Sequence, residues 1–150
     1  MIFELRERWG RQQSWVRWVL AVYLIGFLEG FGDHVLVLAR GGIHAYAPFR
    51  SVPLQVFFVS LVVLDPLAAV LVGLVRRAGV WFAGSVMVMD VCGNCMGNWQ
   101  SLRDDPAGLW RPDGLLFINL FGLFVVAFLL PLHRAVVGAE GGPKVTAPSG

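Results

Sequence analysis

The chain reads as all-α: a polytopic membrane protein whose four transmembrane helices form a bundle, with both termini cytoplasmic. Three observations predict this. Four stretches are apolar for about the 20 residues that a bilayer crossing needs. Basic residues divide unevenly between the two sides that those stretches define. Three of the stretches each place one carboxylate, Glu29, Asp65 or Asp90, at nearly the same depth. An ionised acid in hydrocarbon costs several kcal/mol, so acids at one level imply helices that turn them toward one another or toward water.

Composition supports the class. The 150 residues are 57% hydrophobic and only 15% charged, where a soluble domain is usually about a quarter charged. The mean hydropathy is +0.67. A net charge of +2 is too small, and the basic residues too scattered, to argue for nucleic acid as a partner. Eleven of the twelve basic residues are Arg and one is Lys144. With abundant Gly, Ala and Val, that bias suggests a GC-rich bacterial genome.

The segments run over residues 16–38, 53–75, 78–99 and 114–132. The first is not a cleavable leader: it carries Glu29, Asp33 and His34, and no small-residue cleavage site follows a short apolar core. Arg76 and Arg77 join the second and third segments in a tight helical hairpin. Residues 1–15 form a cytoplasmic N-terminal segment, 16–132 the transmembrane domain and 133–150 a cytoplasmic tail, Gly/Pro-rich from 138 onward and expected to be disordered.

Orientation follows from the positive charges. Arg6, Arg8, Arg11, Arg17, Arg76, Arg77, Arg134 and Lys144 fall on one side, which makes eight; Arg40, Arg50, Arg103 and Arg111 fall on the other, which makes four. The richer side is expected to be the cytoplasm, in the cell membrane. Trp15, Trp18, Trp81, Trp99 and Trp110 sit at or near segment ends, where amphipathic rings favour the interface.

Depth then assigns a site. Asp65 and Asp90 lie at the centres of their segments, and Glu29 lies roughly 3 Å to the outer side of its own centre. Asp33, Asn94, Asn98 and Asn119 come about one turn further out. Asp90, Asn94 and Asn98 repeat every four residues, as do Glu29 and Asp33, so each set shares a helix face. The expected site is an outward-opening polar vestibule: Glu29, Asp65 and Asp90 at its floor, with Asp33, Asn94 and Asn119 lining the approach. Pro66 cannot donate to the Val62 carbonyl, which leaves an acceptor near Asp65. Gly26 and Gly30, and Gly93 and Gly97, are small-xxx-small pairs that let helices approach closely. Phe117, Phe121, Phe124 and Phe128 make the fourth segment packing or lipid-facing support.

The remaining chemistry-bearing residues are few. Cys92 and Cys95 form a Cys-Gly-Asn-Cys pair near the outer end of the third segment, a candidate redox pair or soft-metal trap. A thiol oxidase of the quinone-using kind needs a second pair, which this chain lacks, and packing is the plainer role. His34 is expected at the outer boundary, as an interfacial anchor or a proton relay with Glu29 and Asp33. No HxxxH or HExxH spacing occurs, so no resident metal or other cofactor is expected. Asp104, Asp105 and Asp113 with Arg103 and Arg111 read as a self-neutralising solvated loop.

The layout resembles the DoxX-like small four-helix bacterial membrane proteins. The likeness is carried by Arg17 at the first helix start, Gly26 and Gly30 within it, Asp65 in the second, and Arg76, Arg77 and Gly79 before a Met-containing third helix. It covers about residues 16–132 and implies a fold, with little chemistry attached. Asp90 and its Asn stripe fall outside that pattern.

The function expected is binding or transport of a small solute, a cation or a proton in the acidic site. Like charges this close do not all ionise, so a shared proton is expected. Four helices enclose little volume, which makes a homodimer a natural assembly. Two rivals come from other classes. One is a membrane-embedded enzyme, either a redox module on Cys92 and Cys95 or an acid/base catalyst acting on a lipid. The other is a non-catalytic assembly partner of a second membrane protein, for which neutral replacements of the acids would be tolerated.

Overall fold

A computed structural model describes residues 2–49, 51–112 and 114–140. Its helices, in chain order, are α1 (Ile2–Gly10), α2 (Ser14–Gly41), α3 (Val52–Gly73), α4 (Arg77–Gly97), α5 (Trp99–Asp104) and α6 (Leu116–Glu140). Short 3-10 turns cover Gly42–His44 and Pro106–Trp110, and no strand occurs among the described residues. The reason is elementary. Runs of Val, Leu, Ile and Phe offer the backbone no polar side chains, and the α-helix satisfies N–H and C=O within the segment itself.

Four helices, α2, α3, α4 and α6, are long and apolar enough to cross a membrane. They coincide with the four expected segments, with two differences at the chain ends. The last helix does not stop at Leu132 but continues to Glu140, so the expected tail starts as helix. The rest of that tail, 141–150, lies outside the described residues, as do Arg50 and Asp113. Residues 2–15 also fold: α1 packs beneath the bundle, where the Trp9 indole donates to the Gly73 carbonyl at 2.8 Å and Gln12 is buried.

The bundle runs α2 to α3 to α4 to α6, each packed along its length on the next, while α6 and α2 meet only along a short stretch. One end holds α1 and the α3–α4 hairpin; the other holds the loops 42–51 and 98–115. The hairpin is tight because two positions permit it. Val75 takes a left-handed φ of 52°, unusual for a β-branched residue, with its side chain held in the core. At Gly79 a Cβ would collide with the Leu71 carbonyl, so only glycine lets α4 lie this close to α3.

Large side chains fill the centre, with Tyr23, Phe58, Leu61, Met87 and Leu132 fully buried. The Tyr23 hydroxyl donates to the Val125 carbonyl at 2.7 Å, tying α2 to α6. The outer faces are as apolar as the core: Ile25, Val63, Met89 and Leu123 all point outward in mid-helix. A surface of that kind is a liability in water and a match for hydrocarbon.

Candidate functional site

Helical spacing drives Asp65 and Asp90 inward. On α3 the buried face is Leu61, Asp65, Ala68, Ala69 and Val72, and on α4 it is Ala83, Val86, Met87, Asp90 and Gly93. Each acid therefore occupies a core position of an otherwise apolar stripe, and burying the stripe buries the acid. Asp65 and Asp90 are 3% and 6% exposed.

Each carboxylate has its own partner. The Asn94 amide donates to Asp90 Oδ1 at 3.0 Å and to the Asp90 backbone carbonyl at 3.1 Å, and Asn98 donates in turn to the Asn94 carbonyl at 2.9 Å. The stripe expected on this helix is a hydrogen-bonded ladder. Asp65 instead faces α2, where Gly30 leaves room: a Cβ there would stand 3.1 Å from Asp65 Oδ2. One turn along α2, His34 Nε2 lies 3.8 Å from the same oxygen.

His34 is the site residue that depth alone misplaces. It is not an interfacial anchor but packs inside, with Nδ1 at 2.7 Å from the Tyr46 hydroxyl. Tyr46 stacks on Phe58 at 5.2 Å and on Phe49 at 6.0 Å between ring centroids. Burial, reinforced by the charges of Asp90, Asp65 and Asp33, pushes the Tyr46 phenol up to about 12, so it stays a hydroxyl. A neutral His34 that accepts from this hydroxyl at Nδ1 carries its own proton on Nε2, directed at Asp65. Tyr46, His34 and Asp65 thus form a polar row inside an apolar bundle, with Asp90 and Asn94 buried on the neighbouring helix.

Other expected site residues go elsewhere. Glu29 and Asp33 are exposed on α2 and line a groove of about 460 Å³ at the α2–α6 seam. Gly30, between them, forms the wall between that groove and Asp65. Asn119 does not line an approach to the acids; its amide donates to the Leu109 carbonyl at 2.8 Å and pins the second loop. The open vestibule is also corrected. Tyr46 and Phe49 fold over the loop end, Phe49 seats on Gly97, and Gln55 holds the Phe49 carbonyl at 2.6 Å. Cys92 is exposed in a separate groove beside Asn119, Cys95 is half-buried, and both are free thiols. No group of three or more potential metal ligands converges among the described residues.

The small-residue pairs do what their spacing implies. Gly26 receives the Phe121 ring, Gly30 the Asp65 carboxylate, Gly93 the side chains of Leu54 and Phe58, and Gly97 Phe49. His34 had one sequence signal, its i+4 spacing from Gly30; Tyr46 had none, because a loop residue can fold to any depth.

Fold and site together define the class: an all-helical bundle with the dimensions of a multi-pass membrane protein and a buried pair of aspartates bracketed by histidine and asparagine. No protein-family model, curated protein or solved structure matches the chain.

Proposed function

We propose that this is a cell-membrane protein that takes up and releases a proton at the Asp65–Asp90 pair. The carrying observation is that both acids are buried on the inward stripes of neighbouring helices, with His34 Nε2 at 3.8 Å from Asp65. Two carboxylates buried in one apolar core hold a proton far more readily than two charges. The packing favours a proton over a bulkier occupant, since Gly30, Tyr46 and Phe58 fill the space around the acids and His34. Tyr46 hydrogen-bonds His34, whose other ring nitrogen stands 3.8 Å from Asp65, so the two residues mark a polar route from the loop end toward that acid. The eight-to-four division of basic residues supports cytoplasmic termini, so that route runs from the outer side.

The test is infrared difference spectroscopy on purified protein across a pH jump. The expected result is a protonated-carboxyl C=O band that appears on acidification and is altered in both Asp65→Asn and Asp90→Asn. A band unchanged by either variant would remove the pair from the chemistry.

A further inference from the structure

The groove at the α2–α6 seam is a second site, and we propose that it binds a hydrophobic organic cation. Its walls are Ile25 of α2 and Phe117, Phe121 and Phe124 of α6, and its only charges are the carboxylates of Glu29 and Asp33. Its volume of about 460 Å³ lies within the range of roughly 300–1,000 Å³ typical of small-molecule sites. The seam stays open because α2 and α6 touch so briefly, with Phe121 seated on Gly26 and Tyr23 bonded to the Val125 carbonyl.

Charge decides the occupant. Glu29 and Asp33 are one turn apart on the same face, in a wall that is otherwise aromatic and aliphatic. Acids left in such a place need a positive partner. Among the described residues, a second copy of this chain brings no Arg to that level from its long helices, where Arg17, Arg40, Arg77 and Arg134 sit toward the ends. An ordinary lipid carries its ammonium at the membrane surface. A cation with aryl or alkyl substituents meets every feature, its charge between the two carboxylates and its rings on the phenylalanine faces, where cation–π attraction adds to burial. The site is separate from the Asp65–Asp90 pair, with different residues and a different ligand, so either reading can fail alone. Gly30 is the one residue that borders both.

The probe is tetraphenylphosphonium, whose charge does not depend on pH, titrated calorimetrically into the full-length protein in detergent. Triphenylphosphine oxide serves as a neutral analogue of similar bulk. Saturable binding of the cation is expected, with the oxide weaker by at least about tenfold. Glu29→Gln and Asp33→Asn should each weaken the cation by about tenfold or more, while Cys92→Ser, in the other groove, leaves it unchanged. Both acids are exposed, so their amides are expected to fold; circular dichroism checks this, and if one fails the cation-against-oxide comparison on wild type still decides. Absence of saturable binding, equal binding of the oxide, or a loss with Cys92→Ser as large as with Glu29→Gln would overturn the proposal.

Discussion

Single residues in this bundle divide by what surrounds their polar atoms. Tyr23 is fully buried with its hydroxyl on the Val125 carbonyl, so Tyr23→Phe leaves that hydrogen bond unmade without changing the packing much. The expected loss is about 1 kcal/mol in unfolding free energy, read by denaturant titration in detergent. The acids split in the same way. Glu29 and Asp33 are exposed, so Glu29→Gln and Asp33→Asn should shift stability by no more than about 0.5 kcal/mol. Asp65 and Asp90 are buried, and their amides should move it measurably. Equal small effects at all four positions would show that burial is not what separates the two pairs.

At the scale of the helix, rotation decides function more than depth does. Counting residues along an apolar run gives an expected depth for Glu29, Asp65 and Asp90 but says nothing of the direction in which each points. Rotation was legible only where an apolar stripe framed the acid. Asp65 and Asp90 each continue a buried stripe, and the structure brings both inward. The first long helix has no such guide in its outer half: Gly30 and His34 share one face, while Glu29 and Asp33 share a face about 100° away. Nothing local says which faces α3, and contact with Asp65 selects Gly30 and His34. The hairpin between α3 and α4 was legible from Arg76 and Arg77 alone, but its tightness depends on Gly79 against the Leu71 carbonyl. Gly79→Ala should therefore cost about 1–3 kcal/mol or more, because a backbone atom cannot move aside as a side chain can. A neutral outcome in a thermal melt would mean that α4 is free to slide on α3.

For the whole molecule, four membrane-length helices enclose two buried aspartates and leave an open seam, and Gly30 borders both the seam and Asp65. The proposed orientation is checked by labelling intact cells with a membrane-impermeant maleimide after Cys92 and Cys95 are replaced by Ser. A new thiol from Ser101→Cys, on exposed α5, should react from outside, and one from Ala78→Cys, exposed at the hairpin, should react only after the cells are opened. The reverse pattern would invert the topology.

The central claim is that Asp65 and Asp90 form a strained, titrating pair and not inert glue between helices. The groups around them are His34 on α2, Tyr46 from the loop and Asn94 on α4, with Asp33 beside His34. Raising the pH ionises the acids and leaves charge in a buried, apolar place, which the folded state tolerates poorly. Folded stability should then fall as pH rises. The measurement is the thermal melting of wild type, Asp65→Asn and Asp90→Asn across pH. The account predicts a wild-type melting temperature that declines with rising pH, and amide variants at least as stable as wild type in which that decline is flattened. A wild type indifferent to pH, with amides that unfold the bundle, would contradict it.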